Sequence, residues 1–169
     1  LHTEPRITRP ARPISLSIPS PGTVTFCNVT FNYPSRPTQS ALSNFSLDVR
    51  SGETIALVGP SGAGKSTVFQ LILDFYQPTT GKVKVDGVDI RNADPFDVRN
   101  RVGMVPQDTV LFADNVLENI RYGKSDATDN EVIAAAVSAG ADEFITRLPD
   151  GYSTFVGERG IRLSGGQKQ

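Results

Sequence analysis

Residues Gly59-Pro60-Ser61-Gly62-Ala63-Gly64-Lys65-Ser66-Thr67 fill the pattern G-x-x-x-x-G-K-[S/T], between an apolar run, Thr54 to Val58, and an apolar-periodic stretch, Ser66 to Phe75. A strand that turns through glycines directly into a helix lets successive backbone N–H groups point inward at phosphate oxygens, where the helix end also favours negative charge. Each residue type in the pattern has a chemical use. The glycines let the backbone curl, Lys65 brings a point charge to the outer phosphates, and the Ser66 hydroxyl is placed to ligate Mg²⁺. The candidate nucleotide-contacting set is therefore Gly59, Ser61, Gly62, Ala63, Gly64, Lys65, Ser66 and Thr67.

The 169 residues carry 17 basic and 18 acidic side chains, a formal net charge of −1. That balance removes any broad electrostatic attraction to nucleic acid or to an anionic membrane, so no nucleic-acid partner is expected. The longest apolar stretches, such as Ile55 to Val58 and Leu71 to Leu73, are far shorter than the ~20 residues needed to span a bilayer. No signal-peptide core follows Leu1. The single cysteine, Cys27, excludes an internal disulfide and reads as a packed strand residue. Residues 1–21 hold five of the twelve prolines and three arginines, Arg6, Arg9 and Arg12, and read as an extended linker.

From Thr23 the chain is rich in strands. Val24 and Phe26, then Val29 and Phe31, then Phe45 to Val49 and Thr54 to Val58 occupy strand-like apolar positions, with turns at Ser51-Gly52, Thr80-Gly81 and Asp86-Gly87. Lys82 to Val85 reads as a strand with one wet face, and Val102 to Val105 as a short apolar strand stopped by Pro106. Beyond Asp108 helices dominate, at Asn115 to Arg121, Asp129 to Ala139 and Asp142 to Leu148, started by Asp, Thr or Asn residues.

The phosphate loop, then Val105-Pro106-Gln107-Asp108, then Leu163-Ser164-Gly165-Gly166-Gln167 resembles, over residues 23–169, the nucleotide-binding domain of ATP-binding cassette (ABC) transporters, whose signature is LSGGQ. The segments Phe31 to Pro37, Glu118 to Gly123 and Thr154 to Gly160 are similar to the exporter branch. The resemblance implies an α/β P-loop fold, with an antiparallel β subdomain and an α-helical subdomain. It divides the chain into a linker over 1–21, a β-rich core over 22–107 and a helical part over 108–169. It implies ATP and Mg²⁺ as ligands, with Tyr33 stacking on adenine and with Ser66 and Gln107 reaching the metal and the attacking water. Ser164, Gly165, Gly166 and Gln167 would serve the nucleotide of a second cassette, paired head to tail. Gln107 and the region Thr154 to Gly160, with Thr154, Val156, Glu158 and Arg159, would meet a transmembrane domain, on the cytoplasmic face of a membrane.

In that family an apolar strand ending in Asp-Glu and a switch histidine follow the signature. Within these 169 residues no apolar run closes on such an acid pair, and the one histidine, His2, lies at the other end. The expectation is a C-terminally incomplete cassette that binds ATP and scarcely hydrolyses it alone, its parent being an ATP-driven exporter. A cassette ATPase of a non-transport system, or a non-catalytic nucleotide-binding module, is the alternative. The short helix after the signature is also expected not to hold its shape, because isolated helices under ~12–15 residues are marginal.

Overall fold

A three-residue step between Phe26 and Val29 sets the shape of the first part of the molecule. Strict alternation would turn the two side chains to opposite faces, yet both are buried. The computed structural model, which describes residues 7–16, 21–157 and 161–169, resolves the conflict with a bulge. Strand β1, Val24–Asn32, shifts register beside Asn28, whose φ is 45°. Strand β2, Ser40–Val49, has its own register shift, with Asn44 at φ 48°. Asparagine tolerates this left-handed region better than most residues. Side chains stitch the two irregularities together: Asn28 N–H donates to Ser46 Oγ (3.0 Å) and Asn44 N–H to Thr30 Oγ1 (3.1 Å).

Two units make up the chain, Leu1–Gly103 and Met104–Gln169. In the first, β3 (Thr80–Val85) and β4 (Val88–Asp89) complete an antiparallel sheet in the order β2-β1-β3-β4. Val83 and Val85 face the core while Lys82 and Lys84 alternate outward, as the lysine pattern requires. Gly81 (φ 82°) crosses the β1 bulge so closely that a Cβ there would lie 2.4 Å from the Asn28 carbonyl oxygen and 2.5 Å from that of Cys27.

Helix α1, Lys65–Ile72, buries Val68 and Leu71 against Phe26, Val29, Phe31 and Leu42. It ends in a Schellman arrangement, in which Phe75 N–H donates to Gln70 O (2.9 Å) and Asp74 N–H to Leu71 O (3.1 Å), with Asp74 at φ 50°. Asp74 is fully buried and its carboxylate oxygens have no hydrogen-bond partner among the described residues. Arg99, nearby on helix α2 (Pro95–Arg99), directs its guanidinium to the carbonyls of Leu73 (3.0 Å) and Asp74 (2.9 Å). Desolvation, only partly offset by the Arg99 charge, pushes the Asp74 carboxyl up to about 6.

Two sequence expectations fail here. Thr54 to Val58 and Val102 to Val105 join no ladder: the backbone runs through them outside any strand, and Val58 is 92% and Val105 71% exposed. Buried parallel strands need hydrogen-bonded neighbours and cover on both faces, and among the described residues neither segment has a pairing strand. Part of the Pro/Arg-rich stretch, read as an extended spacer, is docked. Ile14 bridges Ala93 through an N–H to Asn92 O bond of 2.7 Å, Arg9 pairs with Asp94 at 2.7 Å, and Leu16 joins the core.

The second unit holds α3 (Val116–Arg121), α4 (Asp129–Ser138), α5 (Asp142–Ile145), a two-stranded ribbon of β5 (Asp114–Asn115) with β6 (Phe155–Val156), and α6 (Gly165–Lys168). Asn115 caps α3, and Thr128 opens α4 with a reciprocal capping box to Glu131. α5 departs from the expected pattern: its cap is Ala141 and Asp142 sits inside the first turn. Val116, Ala136, Ile145 and Val156 form this unit's core.

Two substitutions test these packing arguments. Gly81→Ala should destabilise the protein by at least about 2 kcal/mol in urea denaturation, because it combines a left-handed backbone with a clash against main-chain oxygens. Asp74 holds its proton more tightly folded than unfolded, since its pKa rises from 3.8 to about 6. Stability from this group is therefore full below pH ~4 and lost as pH rises through ~6, a swing of at most about 3 kcal/mol. Asp74→Asn should flatten the pH dependence of urea midpoints over that window; an unchanged slope would refute the buried-acid assignment.

Candidate nucleotide-binding site

The N-terminus of α1 is left electrically open. It has no acidic residue in its first turn and no side-chain cap, because its cap position is Gly64, at φ 87°. The first intrahelical bond runs from Val68 N–H to Gly64 O (3.2 Å), so the N–H groups before it point out of the helix end with the positive end of the dipole. Gly64 is also where the loop meets the sheet. A Cβ there would lie 2.4 Å from Ala41 O and 2.9 Å from Leu42 Cδ2, so only glycine lets the loop seat on β2.

Lys65 curls back over the loop and donates to the carbonyls of Gly59 (2.8 Å) and Pro60 (2.7 Å). Ala63 N–H closes the preceding turn on Pro60 O (3.2 Å). Gly59, Ser61 and Gly62 are exposed, and Gly62 holds φ 83° with open space around it. The Ser66 hydroxyl is exposed and makes no hydrogen bond among the described residues. Thr67 is buried, its hydroxyl 2.9 Å from that of Tyr33.

Tyr33, Gly62, Gly64, Ser66 and Thr67 thus come together around one cleft of about 260 Å³. Tyr33 stands edge-on to Phe31 (4.9 Å between centroids) and Tyr76 (5.3 Å). Sequence reasoning missed four further wall residues, Arg36, Gln39, Ser40 and Ala41. Arg36 and Gln39 sit in the connection between β1 and β2, and Ser40 and Ala41 open β2; the connection is stitched by Arg36 N–H to Tyr33 O (2.8 Å), Asn32 Nδ2 to Pro37 O (2.6 Å) and Ser40 Oγ to Asn32 Oδ1 (2.9 Å). Their nearness in sequence to Tyr33 was the available signal. Gln70 was missed as well, although it lies one turn from Thr67 on the same helix face.

The other sequence candidates belong to the second unit. Gln107 is exposed, and its carbonyl accepts from Gln169 Nε2 (3.3 Å). The signature forms the short helix α6, whose start is capped by its own residues. Gln167 N–H donates to Ser164 Oγ (3.3 Å) and Ser164 N–H to Gln167 Oε1 (2.9 Å), a capping box that leaves the N–H groups of Gly165 and Gly166 at the open end of α6. Thr154 and Val156 face inward: Thr154 Oγ1 accepts from Asp150 N–H (3.1 Å), Val156 is core, and Phe155 between them is exposed. Those two side chains are therefore not presented to a partner, because strand alternation turns them into the unit. Glu158, Arg159 and Gly160 lie outside the described residues. No described helix is long and apolar enough to cross a membrane.

Comparison with known proteins places this geometry. The profile of the ABC transporter family matches residues 42–169. The mitochondrial potassium channel ATP-binding subunit of Rattus norvegicus is 55% identical over 157 residues, covering 90% of this chain and 22% of that protein. ABC transporter B family member 19 of Arabidopsis thaliana is 53% identical over 148 residues, covering 88% of this chain and 12% of the relative. The structure of a bacterial Atm1-family ABC exporter with ATP bound superposes with a TM-score of 0.87 at 44% identity, over 96% of this chain and 28% of that one. The chain thus spans between about an eighth and somewhat over a quarter of the length of these proteins. It belongs to the ABC transporter family, as an ATP-binding cassette of the exporter branch.

Proposed function

We propose that this chain binds Mg-ATP in the cleft between Tyr33 and the N-terminus of α1, and that the complete parent, with two cassettes paired head to tail, hydrolyses ATP to drive export through a transmembrane domain, while these residues alone bind ATP and scarcely hydrolyse it. The observation that carries the reading is the uncapped, acid-free start of α1 beside Lys65, an anion site with no anionic side chain of its own. On nucleotide entry Lys65 Nζ exchanges the Gly59 and Pro60 carbonyls for outer phosphate oxygens. The N–H groups of Gly62 and Gly64 face the same charge, and Tyr33 offers a rigid ring to the base.

The unengaged Ser66 hydroxyl suits a hard cation that takes oxygen ligands and keeps several waters, so Ser66 would hold Mg²⁺; for Gln107, in the second unit, a part in metal binding follows from the family resemblance alone. When bound, the metal neutralises charge on the β- and γ-phosphates. Gln107 positions the attacking water and links the site to the transport machinery. In the signature, the open N–H groups of Gly165 and Gly166 serve the nucleotide held by the second cassette. The second cassette and the transmembrane domain place the working assembly at the cytoplasmic face of a membrane. Within the segment 154–160, Phe155 is the described side chain that faces outward, toward that partner.

Lys65→Ala should abolish ATP binding in calorimetry, since it removes the one side-chain cation of the loop. Unchanged affinity in a folded variant would sink the assignment. Tyr33→Ala should weaken ATP roughly 5- to 150-fold, the range that corresponds to about 1–3 kcal/mol of base stacking. GTP should weaken alike, because stacking does not read base edges. A loss confined to ATP would point instead to hydrogen-bond readout.

A further inference from the structure

Tyr33 carries more hydrogen bonding than a stacking ring needs. Its hydroxyl lies 2.6 Å from Gln70 Oε1 and 2.9 Å from Thr67 Oγ1. A phenol has one proton and can also accept. The 2.6 Å separation falls within the range for O–H···O bonds and below the ~2.7–3.2 Å range for N–H···O. The Gln70 partner is therefore the amide oxygen, and Tyr33 donates to it. With that proton engaged, the contact with Thr67 has a single polarity left: the Thr67 hydroxyl donates and the Tyr33 oxygen accepts. The chain of donors runs from Thr67 to Tyr33 to Gln70.

Two consequences follow from the direction of this chain. A phosphate oxygen can only accept, and the proton of the buried Thr67 hydroxyl is already committed to Tyr33. Thr67 is then left with its backbone N–H for a phosphate, while Ser66 keeps an unengaged hydroxyl. The side-chain role that the loop pattern suggests for Thr67 passes to the ring. Second, the ring of Tyr33 is pinned at its far end by two residues of α1. Its flanks meet Phe31 and Tyr76 edge-on, at interplanar angles of 77° and 83°.

We infer that Gln70 is a positioning residue for base recognition: through the Tyr33 hydroxyl it holds the ring in place in the cleft before nucleotide arrives. The inference rests on the ATP-binding reading above. An unpinned ring would have to be ordered on binding. Ordering one such side chain corresponds to an affinity loss of about 2- to 12-fold, that is about 0.5–1.5 kcal/mol at about 1.4 kcal/mol per decade.

The test measures calorimetric affinities of the purified protein for Mg-ATP and for Mg-bound inorganic tripolyphosphate, which has phosphates and no base. Gln70→Leu should weaken ATP by about 2- to 12-fold and leave tripolyphosphate unchanged. Gln70→Glu, which keeps an acceptor oxygen on a good helix former and adds a charge that both anions feel, should restore the ratio of ATP to tripolyphosphate affinity. Tyr33→Phe, which keeps the ring and removes both hydroxyl contacts, should lose at least as much as Gln70→Leu, and the double variant should lose no more than Tyr33→Phe alone. Additive losses, failure of the glutamate to rescue, or an equal loss toward tripolyphosphate would overturn the inference while leaving the nucleotide site standing. Failure of the unsubstituted protein to bind ATP at all would remove the functional reading itself. Should Gln70→Leu fail to fold, Gln70→Ala takes its place, and ATP affinity equal to that of the unsubstituted protein would refute the positioning role.

Discussion

The contact on which the first unit depends is the approach of Gly64 to β2. Without a Cβ, this left-handed residue brings the start of α1 against the Ala41 carbonyl; with one, the atoms would meet at 2.4 Å. From that point α1 has only one way to run, with Val68 and Leu71 turned into the core beside Leu42. The same contact sets the distance between the loop and the connection that carries Tyr33 and Arg36. The glycine that the phosphate pattern demands for its curl is thus also the joint between loop and sheet. Backbone strain and steric packing act here at one position.

Much of this was legible in the residues. The loop pattern located the anion site, the apolar alternation located β1, β2 and β3, and the capping residues Asn115 and Thr128 marked two helix starts. The phase break between Phe26 and Val29 was visible too, as a departure from period two. What it meant was hidden, because a bulge requires a partner strand that yields at the matching place, and only the pairing of Val29 with Phe45 reveals it. Gln70 escaped notice for a similar reason: a glutamine on a helix means nothing until the chain folds a tyrosine hydroxyl onto it.

The failures divide by cause. Ala141 takes the cap of α5 because α4 ends just before it, with Gly140 at φ 68°, so Asp142 is already inside the next turn. Thr154 and Val156 sit in a segment whose charged residues suggested an exposed surface, but pairing Asp114 with Val156 in the ribbon turns both inward. Counting helix length says nothing of the local bonds by which Ser164 and Gln167 satisfy each other's N–H groups.

The run before the loop joins no ladder among the described residues. A phosphate loop is ordinarily thought of as hung between a strand and a helix, each fixing one end. Here residues 53–60 lie outside any strand and Val58 is 92% exposed, yet the turn closes on Pro60 O and Lys65 folds onto the loop carbonyls. Among the described residues the loop is tied at its helical end, through Gly64 on β2 and through the Thr67 to Tyr33 link that joins α1 to the end of β1. The antiparallel sheet carries the anion site and the base wall together. Two groups far apart in sequence, a tyrosine after β1 and a helix start after residue 64, thus line one cleft.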